Sequence, residues 1–180
     1  MRMILVISGS SRRGSFNSRL ACLVADSRPD DTVTVLTDLR HLPFYDGDTE
    51  ADGTPGAVAD LRAAVSDADL VVVVTPEYNG TVPGLLGNAI DWLSRPARNS
   101  ALQSKPVLVL SASPTPYGGA RAADHLRTVL TRIGAHVHPG GLSVGAAHQR
   151  LNEQSDPQLV GDLAELLNHV LDQHPLLLTA

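Results

Sequence analysis

Leu70-Val71-Val72-Val73-Val74 is an unbroken apolar run in which every residue after the first is β-branched. A segment with no polar face has to be covered on both sides, which is the condition of a central strand in a parallel sheet. Met3–Ile7 and Val107–Leu110 repeat the pattern. Val33–Leu36, preceded by Thr32, and Ala135-His136-Val137-His138 read as two shorter strands. Between the strands the apolar period changes to helical. Phe16, Leu20, Leu23 and Val24 share one stripe, and Val58, Leu61 and Val65 share another behind Pro55. Leu85, Leu86, Ala89, Ile90 and Leu93 form a third stripe after Pro83, and Ala122, Leu126, Val129, Leu130 and Ile133 a fourth that ends at Gly134. Leu159, Leu163, Leu166, Leu167 and Val170 form the last, begun by Ser155-Asp156-Pro157. Five strands alternating with helices demand crossover connections, and so an α/β fold with helices on both faces of a parallel sheet.

At 180 residues the chain is expected to form one domain, residues 1–180. A net charge of −5 gives no reason to expect binding to nucleic acid or a membrane surface. Met3–Ile7 is too short for a membrane span or the core of a signal peptide. Cys22 is the only cysteine, so no intramolecular disulfide can form, and a reducing cytoplasm is the expected setting. Pro43 to Thr54, with Asp46, Asp48, Glu50 and Asp52, reads as an acidic loop that is solvated or flanks a ligand entrance. The tail Pro175–Ala180 has no usable periodicity.

Two loops follow buried strands and carry unusual chemistry. After the first strand comes Ser8-Gly9-Ser10-Ser11-Arg12-Arg13-Gly14-Ser15-Phe16-Asn17. Ser10 and Ser15 offer hydroxyls, Arg12 a planar fork, and the following helix an N-terminus with free N–H groups, a set that suits phosphate. The same residues also fit a plain strand–helix turn in which Ser15 or Asn17 caps the helix. Gly9 and Gly14 are five apart with no third glycine in place, so the turn is neither a P-loop nor the dinucleotide fingerprint. After the third strand comes Thr75-Pro76-Glu77-Tyr78-Asn79-Gly80-Thr81-Val82-Pro83-Gly84, where prolines, glycines and Asn79 fix a turn beside an aromatic face. Such a loop can offer backbone groups to the edge of a flat heteroaromatic ligand, and ligands of open α/β sheets lie beyond the carboxyl ends of the strands.

Gly9–Asn17 and Thr75–Trp92, the second reading Thr-Pro-Glu-Tyr-Asn-Gly-Thr-Val-Pro-Gly-Leu-Leu-Gly-Asn-Ala-Ile-Asp-Trp, together resemble the NADPH-dependent FMN reductases, over roughly residues 3–150. The resemblance implies a flavodoxin-like three-layer fold with a five-stranded parallel sheet in the order 2-1-3-4-5. It implies that Ser10, Arg12, Ser15 and Asn17, with Phe16 beside them, hold the FMN phosphate. It also implies that Pro76, Glu77, Tyr78 and Asn79, with Gly80, line the isoalloxazine edge, and that Ser111, Gly118 and Gly119 of a third loop close the other side. NADPH or NADH would supply hydride, and a small acceptor such as free flavin, a quinone or an azo compound would receive the electrons. No side-chain acid, base or nucleophile is required, and no catalytic residue is assigned. A flavin-binding electron carrier without nicotinamide turnover is the alternative from another class. Family members pair through the helix after the Tyr78 loop, so a homodimer, or a tetramer built from it, is expected, with Leu85, Leu86 and Trp92 as its apolar surface. Gly87 departs from the lysine usual in the family.

Two further patterns are set aside. Gly141-Leu142-Ser143-Val144-Gly145 fits a nucleophile elbow followed by Asp156 and His169, but lacks the strand before it and the helix directly after. His136 and His138 share one strand face without a further close-spaced ligand, which is short of a metal site.

Overall fold

The computed structural model describes residues 1–152 and 154–174; Pro175–Ala180 lies outside them. Its sheet is parallel, in the order β2-β1-β3-β4-β5. These strands are β1 (Met3–Ser8), β2 (Thr32–Leu36), β3 (Leu70–Thr75), β4 (Pro106–Ala112) and β5 (His136–Val137). The side-chain period of two divides the sheet residues into two cores. Leu5, Ile7, Val71, Val73, Val107 and Val109 pack with α3 (Gly56–Asp67), α4 (Gly84–Leu93) and α5 (Ala120–Arg132). Ile4, Val6, Leu70, Val72, Val74, Leu108 and Leu110 pack with α1 (Phe16–Asp26) and α7 (Pro157–Gln173). All six residues of β3 are buried, as its unbroken apolar run requires.

Three segments depart from expectation. The acidic loop contains a short helix, α2 (Gly47–Asp52), because Asp46 caps its first turn by accepting from the Asp48 N–H, and Asp48 and Glu50 sit at the positive end of the dipole. Arg62 then fastens it, reaching Glu50 Oε1 (2.7 Å) and the Trp92 carbonyl. The Gly-rich stretch after β5 holds a further short strand, β6 (Ser143–Val144), which pairs with β4 and is followed by the single-turn α6 (Ala147–Arg150). The edge is therefore broken between Val137 and Ser143. In the gap the Arg127 guanidinium donates to the Val109 carbonyl (3.4 Å), standing in for a missing strand. Finally, Leu86 and Trp92 are 1% and 0% exposed within the single chain, so they are core and cannot form a dimer face. The Trp92 indole donates to the Pro43 carbonyl (2.8 Å), which also accepts from the Asn88 amide.

Among the described residues no helix is long and apolar enough to cross a membrane.

The opposite end of the sheet is held by Asp31. Its carboxylate accepts from the Arg2 backbone N–H (2.7 Å) and from Arg28 Nε (2.7 Å). Burial alone would raise this carboxyl, but those bonds outweigh it and hold it below its ordinary 3.8. A carboxylate with a depressed folded-state pKa stabilises the fold fully above the unfolded value, and that stability drains as the pH falls through the lower one. Asp31→Asn is therefore expected to cost about 2 kcal/mol at neutral pH. Urea midpoints of the variant and the parent should converge in acid, below pH 3.8. Equal midpoints at neutral pH would contradict this.

Candidate ligand site at the sheet rim

β1, β3 and β4 lie side by side, with Ser8 registered on Val74 and Thr75 on Ser111, so their three following loops meet at one rim. The chain leaves β1 toward β2 on one side and returns to β3 on the other, which opens a crevice there. A cavity of about 100 Å³ fills it, lined by Ser10, Arg12, Ser15, Phe16, Asn17, Pro76, Glu77 and Tyr78, together with Ala112, Ser113 and Pro114.

The first loop is a set of unspent donors. Ser15 caps α1, its Oγ accepting from the Asn17 and Ser18 N–H groups (3.2 and 3.3 Å), which leaves its own proton to donate. The Ser10 hydroxyl accepts only from the Arg12 N–H, at 3.5 Å. Among the described residues the N–H groups of Ser11, Gly14 and Phe16 have no intramolecular acceptor. Arg12 is exposed, with one weak bond to the Arg13 carbonyl (3.4 Å). Of this set Ser10, Arg12, Ser15 and Phe16 line the cavity, beside the positive end of α1, where an anion is favoured.

Asn17 has a different role. Its amide donates to the Ala112 carbonyl (2.9 Å) and accepts from the Ala112 N–H (2.9 Å), in a buried setting. Both functional ends of the side chain are thus spent on the last residue of β4. Phe16, half-buried, carries Arg19 over its ring at 5.9 Å.

The second loop is a two-residue hairpin turn. Tyr78 and Thr81 exchange backbone hydrogen bonds (3.0 and 3.1 Å), and Asn79 and Gly80 take positive φ (55° and 78°), the Asn-Gly signature of a type I′ turn. The Tyr78 N–H is therefore spent inside the turn, whereas the Glu77 N–H remains free among the described residues. Tyr78 is 49% exposed, so its ring stands at the mouth of the cavity. Thr81 Oγ1 bonds His125 Nδ1 (2.6 Å), tethering the turn to α5. Asn79 and Gly80 sit at its exposed tip, outside the cavity lining.

The third loop lies one register later than the sequence suggested, because β4 runs on to Ala112. Ala112, Ser113 and Pro114 line the cavity; Ser111, Gly118 and Gly119 do not. Ser111 is buried and donates to Ser143 Oγ (3.0 Å). Gly118 backs onto the β6 segment: at φ 63° a Cβ would fall 2.5 Å from the Ser143 carbonyl carbon, so only glycine fits. Gly119 faces Ser111 and Glu77. The strand register that would have singled out Ala112–Pro114 is not encoded by the Pro/Gly composition of that loop.

Ser143, Asp156 and His169 are each engaged elsewhere: Ser143 with Ser111, Asp156 with Arg150 and the α7 cap, and His169 with Gln173 and the edge of the His138 ring. Among the described residues no group of three His, Cys, Asp or Glu side chains is placed to hold a metal.

Residues 2–149 match the family model described as NADPH-dependent FMN reductase. A quinone reductase of Escherichia coli is 42% identical over 136 residues, covering 74% of this chain and 72% of that protein. An NAD(P)H-dependent FMN reductase of Pseudomonas aeruginosa is 40% identical over 133 residues, covering 74% and 71%. The fold superimposes on the flavoenzyme NAD(P)H:(acceptor) oxidoreductase FerB of Paracoccus denitrificans with a TM-score of 0.81 and 26% identity, over 97% of this chain and 99% of that one.

Because Asn17 joins two loops of the rim, Asn17→Ala should leave the buried Ala112 N–H and C=O unpaired. The expected cost is about 2–4 kcal/mol, read as a fall in thermal midpoint. Asn17→Asp keeps only the acceptor and should lie between the two. An unchanged midpoint for the alanine variant would remove Asn17 from this role.

Proposed function

The chain belongs to the NADPH-dependent FMN reductase family, and from that premise we propose that its rim cavity holds FMN and that it reduces a small acceptor at the expense of NADPH or NADH. As a member of this family it is a flavin-dependent oxidoreductase. The observation that carries the site assignment is the donor set of the first loop, left unspent beside apolar walls.

The residues present fit the cofactor. The Ser10 and Ser15 hydroxyls, the Arg12 guanidinium and the Phe16 N–H would hold the phosphate as a dianion. Pro76, Tyr78, Ala112 and Pro114 give flat or apolar walls for the ring system, with the Glu77 N–H directed to its edge. Asn17, committed to Ala112, serves the phosphate only by holding the loop in place. Once bound, FMN supplies the two-electron chemistry that links a hydride donor to an acceptor. The protein's part is orientation: the tethered Tyr78 turn leaves one side of the cavity open for nicotinamide and acceptor to use in turn. The acceptor is read as a quinone or free flavin on the strength of the relatives.

Pairing into a homodimer is part of this reading, through a surface revised from the buried Leu86 and Trp92. Pro43 and Tyr45 are both bonded to Asn88 of α4, and between them Phe44 is 87% exposed beside that helix. A cytoplasmic setting is part of the same reading, supported by the single free thiol of Cys22.

The test is turnover: purified protein should oxidise NADPH in the presence of quinone and carry a flavin spectrum. Bound flavin with turnover near zero would instead make it an electron carrier. Arg12→Ala should weaken FMN binding roughly 10–150-fold, the worth of one charged hydrogen bond; unchanged affinity would remove Arg12 from the phosphate site. Light scattering at micromolar protein should give a dimer that Phe44→Ser dissociates. A monomeric parent chain would overturn the pairing.

A further inference from the structure

On the outer side of the first loop lies a second void, a groove of about 660 Å³ that shares Arg12 and Ser15 with the rim cavity. That volume falls within the range of small-molecule sites. Its charge is one-sided: Arg12, Arg13, Arg19 and Arg40 line it against a single carboxylate, Asp38. Among the described residues Arg12, Arg13 and Arg19 are in no ion pair. Arg19 is held in place by the Leu151 carbonyl (2.9 Å).

Asp38 gives the groove a second chemical character. It lies two residues past the end of β2, the part of a nucleotide-binding α/β sheet where an acidic side chain accepts from ribose hydroxyls. Arg40 grips it through Nε (2.9 Å) and Nη2 (2.7 Å), and these hydrogen bonds keep the carboxyl ionised, well below the usual carboxylate range. The clamp also holds the Arg40 guanidinium flat and 68% exposed, a plane on which an aromatic base can stack. Donors for phosphate, an acceptor for ribose and a stacking plane are the three needs of an adenosine 5′-phosphate group.

We propose that this groove takes the adenosine 5′-phosphate portion of FAD, so that the chain accepts the dinucleotide as well as FMN. The second phosphate lies against Arg12 and Arg13, the ribose on Asp38 and the adenine against Arg40. The shared Arg12 supplies the continuity, since a ligand with one phosphate in the first loop has its next phosphate at the entrance to the groove. The assignment rests on the flavin reading of the rim cavity.

The experiment titrates the full chain, freed of flavin, with FMN and with FAD by quenching of flavin fluorescence, and repeats both with AMP present. FAD should bind at least as tightly as FMN. Arg13→Ala and Asp38→Asn should each weaken FAD roughly 10-fold while leaving FMN within about twofold. AMP should compete with FAD and not with FMN. FAD much weaker than FMN, or variants that weaken both flavins equally, would overturn the proposal. So would tight AMP binding to the FMN-loaded protein with FAD rejected, which would make the groove a site for a separate nucleotide. If FMN binds and FAD does not, only the groove is lost; if neither binds, the flavin reading falls with it.

Discussion

A buried amide joins the parts of this molecule that have to meet. Asn17 lies in the first turn of α1, Ala112 ends β4, and 95 residues separate them in sequence, yet each satisfies the other's donor and acceptor. β3 lies between β1 and β4 in the sheet, so this bond bridges the rim over the strand that leads into the Tyr78 turn. Without it the first and third loops would each have to find water for buried polar groups, at a cost of kilocalories per group. With it, the first and third loops are held together at the rim before any ligand arrives, the kind of prior ordering that lowers the cost of binding.

The fold was largely legible because its central strands are apolar on both faces, a pattern that admits few alternatives. Leu70–Val74 and Met3–Ile7 lie where the pattern put them, and the helical stripes face the sheet as spaced. The unread parts are those where one side chain decides the local structure. Asp46 turns a run of acids into a helix, and Ser143–Val144 becomes a strand only because β4 offers an unpaired edge. The family resemblance puts Trp92 on an apolar pairing surface, but its indole N–H has a carbonyl waiting at Pro43, which draws it inside.

The site was legible in the same uneven way. Ser10, Arg12 and Ser15 announce anion chemistry by type, and they do converge on one cavity. Asn17 joins them only through the family resemblance, and its partner is 95 residues away and invisible to spacing. Gly118 reflects a tight approach of backbone to the β6 segment, and Gly119 a left-handed backbone at φ 82°, so both are required by local geometry. Ala112, Ser113 and Pro114 face the cavity through strand register, which composition does not carry.

Recognition of a phosphate by the first loop of this reductase, with the neighbouring walls accepting the ring, is open to one direct measurement. Comparing riboflavin with FMN by calorimetric titration of the flavin-free protein isolates that one group. Several charged hydrogen bonds to the phosphate predict FMN binding tighter by about 100-fold or more. Equal affinities for the two flavins would contradict it.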